Sequence, residues 1–193
     1  IVDETCRLTR LITQVLDFQK LESGRMRWHI DTLDPKAVIQ DAVSATGQLV
    51  ADNRIRMHVH LPPAAPTIEG DRDQLIQAMV NLISNAVKFC DPDHGRIDIR
   101  LKADADRLTI FVADNGIGIS KADQQHIFDK FQQVVDASRG RPAGTGLGLS
   151  ITRQIVEYHH GELHVDSKPG HGATFYFTLP LKRPPEAATS QTP

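Results

Sequence analysis

Three polar side chains recur along one predicted helix. Asn81, Asn85 and Lys88 are separated by four and three positions, so they share one face of a helix whose other face is apolar. Two amide oxygens and one ammonium group on a shared stripe could hold a hydrated Mg²⁺ ion and a phosphate. Taken alone, the same spacing is also typical of a solvated helix face, so both interpretations stay open.

A single carboxylate follows an apolar predicted strand. Asp114 comes after the strand Arg107 to Ala113 and precedes Gly116 and Gly118, which let the backbone turn sharply while the carboxylate points inward. An ionised carboxylate only accepts hydrogen bonds, which suits an exocyclic amine donor such as that of adenine. An Asp that merely forms the turn is the alternative.

Alternating glycines come immediately before another predicted helix. Gly144, Gly146 and Gly148 would place unobstructed backbone N–H groups and a positive helix end where an anion can bind. The spacing is not that of a dinucleotide-binding fingerprint, and no Gly-Lys-Ser/Thr of a P-loop occurs. The polar stretch from Gln132 to Ala143 has the length of a functional lid, and Phe128 and Phe131 beside it are either core residues or lid anchors.

Regular elements must position these groups. The hydrophobic periodicity predicts an α+β two-layer sandwich, in which a mixed sheet is covered by about three helices and a long helix precedes it. The predicted helices are Asp3 to Met26, Pro35 to about Asn53, one opening at Gly70-Asp71, a short one from Lys121 to Phe131, and Leu147 to His160. The predicted strands are Arg54 to Leu61, Arg96 to Lys102, Arg107 to Ala113, Glu162 to Ser167 and Thr174 to Leu181.

Composition limits the possible partners. The 193 residues are 40% hydrophobic and 24% charged, which is enough apolar material for a real core. The formal net charge of −2 offers no basic excess for binding a nucleic acid backbone. The absence of any apolar run of 18 or more residues predicts no membrane span within the chain. Because the sequence begins with Ile1, we expect it to be part of a longer polypeptide.

Four segments, in this order, resemble the N, G1, F and G2 boxes of sensor histidine kinases, which belong to the wider GHKL ATPase superfamily. They are Asn81-Leu82-Ile83-Ser84-Asn85-Ala86-Val87-Lys88-Phe89, Asp114-Asn115-Gly116-Ile117-Gly118-Ile119, Ile127-Phe128-Asp129-Lys130-Phe131 and Gly144-Thr145-Gly146-Leu147-Gly148-Leu149. The similarity extends from about Asp71 to Pro180 and implies the GHKL, or Bergerat, type of sandwich.

The resemblance implies roles for individual residues, with ATP and Mg²⁺ as the bound groups. Asn85 would be the Mg²⁺ ligand with Asn81 as a possible second, and Asn81, Asn85 and Lys88 would form the catalytic set. Asp114 would accept from the adenine amino group, and Thr174 would support Asp114. The remaining expected nucleotide contacts are Phe89 near the base, Gly116 and Gly118 where the backbone approaches it, and Lys130, Gly144, Thr145, Gly146, Leu147 and Gly148 toward the phosphates.

The resemblance also divides the chain. Residues 1–30 would be the second helix of an incomplete dimerisation and phosphotransfer hairpin, 31–182 the catalytic ATP-binding domain, and 183–193 a disordered tail. The implied partners are a second copy bound through the first helix and the receiver domain of a response regulator. A cytoplasmic location is implied, with any membrane attachment through regions outside this chain.

The implied reaction is transfer of the ATP γ-phosphoryl group to a histidine, for onward transfer to an Asp of the response regulator. None of the nine histidines has the sequence context of the family's phosphoacceptor, so we expect the acceptor to be absent from this chain and the chain alone not to phosphorylate itself. Two alternatives stay open: an ATPase of the same superfamily, and a non-catalytic module that keeps the fold and dimerises.

Overall fold

The computed structural model describes Gln19, Ser23 and residues 26–132 and 145–181. The expected helix from Asp3 to Met26 with its dimer contact, the tail at 183–193 and Gly144 therefore lie outside the described residues, apart from Gln19, Ser23 and Met26 themselves. The candidate site and the elements that carry it fall almost entirely within the described ranges.

A small antiparallel pair flanks the first described helix. Strand β1 (Ile30–Leu33) pairs with β3 (Ile68–Asp71), and helix α1 (Pro35–Asp52) lies between them in the chain. Helix α1 begins as its sequence predicts, because Pro35 stands in the first turn and the Asp34 side chain accepts a hydrogen bond from the backbone N–H of Lys36.

The main sheet has five strands in the order β2-β4-β5-β7-β6. They are β2 (Arg56–His60), β4 (Arg96–Ala103), β5 (Arg107–Asp114), β6 (Glu162–Ser167) and β7 (Ala173–Pro180). The β2–β4 pair is parallel and the other pairs are antiparallel. This mixed sheet, with its helices, confirms the predicted α+β sandwich.

Alternation along the strands separates two faces of this sheet. The inward residues of β4 and β5 are buried: Ile97, Ile99, Leu101, Leu108, Ile110 and Val112. They join the core with the apolar stripe of helix α2 (Arg72–Phe89), whose buried members are Leu75, Ala78, Met79, Leu82, Ile83, Ala86 and Val87. Helix α4 (Gly148–Tyr158) packs beside α2 and buries Ile151, Ile155 and Val156.

Helix α2 has a well-formed start. The Asp71 side chain accepts a hydrogen bond of 3.1 Å from the backbone N–H of Gln74, which satisfies one of the free donors at the helix N-terminus. Since Asp71 is also the last residue of β3, the strand pair fixes where α2 begins.

Two predictions of the fold need correction. Strands β1 and β3 were not expected, because their sequences Ile-Asp-Thr-Leu and Ile-Glu-Gly-Asp are short and largely polar. The short helix α3 (Lys121–Gln124) ends well before Phe131, whose φ of 62° is incompatible with a right-handed helix.

None of the described helices is long and apolar enough to cross a membrane.

Candidate functional site

Asp114 ends strand β5 with its carboxylate held by backbone groups. Its Oδ1 atom accepts hydrogen bonds from the N–H groups of Gly116, at 2.8 Å, and Ala173, at 3.3 Å. No described residue donates to Oδ2, so that oxygen keeps its acceptor capacity. Burial raises the pKa of Asp114 above its usual value, although the two N–H donors act in the opposite direction.

The glycines around Asp114 are required by close backbone packing. A Cβ atom on Gly116 would overlap the carbonyl oxygen of Phe89, and one on Gly118 would overlap that of Lys168. Gly118 also has a φ of +70°, which disfavours any other residue. These contacts pin the turn after β5 between the end of α2 and the β6–β7 turn. The two predicted glycines therefore serve the protein's own packing, whatever they contribute to a ligand.

The expected support of Asp114 by Thr174 is wrong by one residue. Thr174 pairs with Ala113, and successive side chains on β7 point to opposite faces, so Thr174 belongs to the open face of the sheet. The hydrogen bond to Asp114 comes instead from the backbone of Ala173.

Asn115 is a structural residue that the sequence analysis did not single out. Its Oδ1 accepts from the N–H of Arg96, at 2.8 Å, and from the Cys90 thiol, at 3.1 Å, while its Nδ2 donates to the carbonyl of His94, at 2.8 Å. Burial raises the pKa of Cys90, so this thiol stays protonated. The sequence signal for this role was an amide side chain next to Asp114, because such a side chain can donate and accept hydrogen bonds at once.

The three polar residues on α2 have different surroundings. Asn81 donates from Nδ2 to the carbonyl oxygen of Gly148, at 3.3 Å, and contacts Thr152 Oγ1 at 3.5 Å, so it links α2 to α4. Asn85 is half-buried and its side chain forms no hydrogen bond with the described residues. Lys88 Nζ lies 4.6 Å from the centre of the Phe89 ring, and partial burial lowers its pKa.

The glycine-rich segment reaches α4 from the direction of Phe131. Gly146 has a φ of +72°, and its carbonyl oxygen accepts from the N–H of Phe131 at 3.1 Å. Gly148 is the first residue of α4, whose N-cap, Leu147, supplies no side-chain hydrogen bond. The first turn of α4 therefore presents backbone donors without a side-chain cap. Thr145 Oγ1 accepts from the Leu147 N–H at 3.2 Å.

The side chains beside the glycine-rich segment differ widely in burial. The Leu147 side chain is fully buried in the core, which leaves only its backbone for contact with a ligand. Phe128 packs edge-on against Phe175 with ring centres 6.4 Å apart, as a core anchor would, whereas Phe131 is 66% exposed. Lys130 is exposed in the same segment.

Helix α2 brings these groups together. Its C-terminal end meets the Asp114 turn at Phe89 and also carries Asn85 and Lys88, whereas Asn81, near its middle, contacts the start of α4. The arrangement combines a carboxylate acceptor, an unpaired amide, an ammonium group and an uncapped helix N-terminus. Among the described residues, no group of three or more His, Cys, Asp or Glu side chains could hold a metal by itself.

Comparison with known proteins identifies the family. A family model described as "Histidine kinase-, DNA gyrase B-, and HSP90-like ATPase" matches residues 70–183. The sensor histidine kinase MtrB of Mycolicibacterium paratuberculosis is 31% identical over 192 residues, covering 100% of this chain and 34% of MtrB. The sensor histidine kinase RcsC of Escherichia coli is 34% identical over 175 residues, covering 90% of this chain and 18% of RcsC.

Solved structures are similar as well. Full-length ShkA in complex with AMPPNP superposes with a TM-score of 0.78 at 26% identity, over 89% of this chain and 35% of that one. The mycobacterial sensor histidine kinase MprB gives a TM-score of 0.67 at 29% identity, over 79% of this chain and 97% of that one. The chain thus spans about half or less of the length of the curated relatives it matches. It belongs to the family of histidine kinase-, DNA gyrase B- and HSP90-like ATPases and carries the ATP-binding domain of a sensor histidine kinase.

Proposed function

We propose that this chain binds ATP with Mg²⁺ along α2 and α4 and presents the γ-phosphoryl group to a histidine supplied from outside it. The observation that carries the proposal is the carboxylate of Asp114, which is fixed through Oδ1 by two backbone donors while no residue in the described ranges donates to Oδ2. An exocyclic amino group of adenine would donate to that second oxygen.

The opposite end of the nucleotide would lie at α4. Triphosphate oxygens would accept from the uncapped N–H groups of the first turn, near Gly146, Gly148 and Thr145. The half-buried Asn85 amide has no hydrogen-bond partner among the described residues, so its oxygen fits a metal ligand, and Asn81 is the possible second ligand. When bound, Mg²⁺ would neutralise charge on the phosphate oxygens.

Lys88 would add a positive charge on the same helix face. Its lowered pKa means that the ammonium form is less favoured than in water, and a nearby phosphate would restore it. Lys130, exposed in the segment before the undescribed residues 133–144, would be a second cation toward the phosphates.

The residues that precede Asn81 and Asn85 favour phosphoryl transfer over hydrolysis of ATP. A superfamily ATPase needs a carboxylate to activate water, but the residues before Asn81 and Asn85 are Val80 and Ser84. A purely non-catalytic module is disfavoured because the Asp114 turn and the uncapped start of α4 are both intact.

The remaining parts of the proposal concern the whole protein. Residues 1–30 would form the second helix of the dimerisation hairpin, 31–182 the catalytic domain, and 183–193 a disordered tail. The phosphoryl group would pass to an acceptor histidine of a second polypeptide segment and then to the receiver domain of a response regulator.

The test is a calorimetric titration of the full 193-residue chain with ATP and with GTP, each with and without Mg²⁺. In Asp114→Asn, ATP affinity should fall by roughly 1.5–3 kcal/mol because a hydrogen bond to a charged acceptor is lost, which is about ten- to 150-fold. The matched control Asp166→Asn removes an exposed carboxylate on β6 and should leave affinity unchanged. Equal affinities for the two variants would refute the role of Asp114.

A further inference from the structure

The segment that enters the domain is held by an aromatic stack. The Trp28 ring lies parallel to Tyr158, with centres 3.6 Å apart and planes 6° apart, and it meets His159 edge-on at 5.7 Å. Trp28 comes just before β1, whereas Tyr158 is the last residue of α4. The stack therefore joins the entering segment, residues 26–29, to the C-terminal end of α4.

A buried hydrogen-bond chain reinforces this junction. Asp71 Oδ2 accepts from the His29 N–H at 2.8 Å, and the Asp71 N–H donates to His159 Nε2 at 2.8 Å. His159 Nδ1 lies 2.7 Å from the carbonyl oxygen of Ile155, one turn earlier in α4. Nε2 must be unprotonated to accept, so Nδ1 carries the hydrogen and donates to that carbonyl. Asp71 and His159 are only 4% and 5% exposed.

Both helices of the proposed nucleotide site end at this junction. Asp71 caps the start of α2, the helix that carries Asn81, Asn85 and Lys88. His159 follows the end of α4, whose first residue is Gly148. An 11-residue helix is about 16 Å long, so α4 reaches from the proposed phosphate position to Trp28 as one rigid element.

We propose that Trp28, Tyr158 and His159 form a coupling contact through which nucleotide binding and docking of residues 26–29 strengthen each other. The nucleotide half of this inference rests on the proposed function. A ligand that fixes the N-terminal end of α4 favours one placement of the helix, and that placement sets Tyr158 against Trp28. Because linkage is reciprocal, docking of Trp28 must favour nucleotide binding by the same factor. The three residues are thus positioning residues rather than catalytic ones.

The chain contains one tryptophan, so tryptophan fluorescence reports on the surroundings of Trp28 alone. We would measure acrylamide quenching of Trp28 in the full chain while titrating Mg²⁺ and AMPPNP, with binding followed in parallel by calorimetry. Saturating nucleotide should lower the quenching of Trp28, with a midpoint equal to the calorimetric dissociation constant.

Three variants separate coupling from local packing. Tyr158→Phe keeps the stacked ring and should behave like the parent chain, whereas Tyr158→Ala should lose the nucleotide-dependent change in quenching. Tyr176→Ala is the matched control, because it removes a ring stacked on Phe111 and His164 on the open sheet face, and it should retain the change. In the reciprocal direction, Trp28→Ala should weaken AMPPNP binding about fivefold or more, while Trp28→Phe should stay close to the parent.

The outcomes distinguish the two claims. Nucleotide binding with unchanged Trp28 quenching, or with equal affinity in the Trp28→Ala chain, would overturn the coupling and leave the proposed function intact. Absence of any binding heat in the parent chain would overturn both. Circular dichroism of each variant identifies one that fails to fold, and the parent titration together with Trp28→Phe and Tyr158→Phe still decides the question.

Discussion

At the C-terminal end of α2, the Asp114 turn is built from backbone hydrogen bonds and glycines that tolerate no Cβ atom. Lys88 and Asn85 lie one and four residues before Phe89 on the same helix; Lys88 is exposed, and the Asn85 side chain has no hydrogen-bond partner among the described residues. In the first region the protein's own backbone fixes the carboxylate through Oδ1 and leaves Oδ2 without a donor among the described residues, whereas in the second the Asn85 side chain has no such support. On the proposed function, recognition of the base would use a preorganised carboxylate, whereas metal binding would use an amide that the described residues leave unpaired.

The largest expected effect comes from adding one methyl group to each region. Gly116→Ala should lower the free energy of unfolding by about 3 kcal/mol, since its Cβ atom would overlap the Phe89 carbonyl oxygen and the surrounding backbone would have to move. Gly148→Ala should change stability by no more than about 0.5 kcal/mol, because its Cβ atom would meet nothing closer than 3.9 Å. Urea denaturation of both variants measures the contrast.

Similar losses of stability in these two variants would remove the distinction between a rigid base region and an open phosphate region. The Gly148 variant has a second use, because it keeps the fold and tests whether an added methyl group at the start of α4 weakens ATP binding.

Replacing asparagine by alanine should affect nucleotide binding at one position and folding stability at another. Asn85→Ala should leave unfolding unchanged but reduce the Mg²⁺ dependence of ATP affinity by about tenfold, the equivalent of one charge-assisted interaction of about 1.4 kcal/mol. Asn115→Ala should instead lower the free energy of unfolding by about 1–2 kcal/mol, because three hydrogen bonds are lost, some of them partly exposed to water.

Calorimetry with and without Mg²⁺ and urea denaturation supply the two readouts. A Mg²⁺ dependence that survives in Asn85→Ala would place the metal ligand elsewhere.

The smallest effect concerns the pH dependence of stability at Asp114. Burial raises its pKa in the folded state, so between the ordinary and the raised pKa the folded chain holds more protons than the unfolded chain, and stability falls as pH rises through that window. Asp114→Asn removes this titration, and its amide oxygen can still accept from Gly116 and Ala173. The variant should therefore gain stability relative to the parent as the pH rises from about 4 to 7.

The measurement is the difference in unfolding free energy between the two chains at several pH values. A variant that loses stability relative to the parent on the same rise in pH would show that the folded state favours the ionised carboxylate.

How far the sequence predicts this molecule depends on the signal each part carries. Helix α2 and strands β4, β5 and β7 have long periodic apolar patterns, and all were predicted. Strands β1 and β3 were not predicted because segments of only four residues carry no clear period, and their pairing depends on contacts 35 to 41 positions apart in the chain.

Within the site, residue types were predicted better than their contacts. Asp114 was expected to point inward and does so, but support from Thr174 was misplaced, because strand alternation decides the face and a shift of one residue reverses it. His159 and Trp28 carried no sequence signal, since their importance comes from distant partners, Asp71 and Tyr158. Gly144 and the helix from Asp3 to Met26 remain predictions.

The order of strands in the main sheet has one further consequence, for the way the domain assembles. Strand β7 is the last described strand along the chain, yet it is inserted between β5 and β6 rather than added at an edge. Its first residue, Ala173, supplies one of the two donors that fix Asp114. During synthesis, the Asp114 carboxylate therefore cannot reach its final surroundings until the chain has been made through β7 and this strand has entered the middle of the sheet. Bound ATP could therefore stabilise only the completed sheet, and it could not serve as a template around which the earlier strands fold.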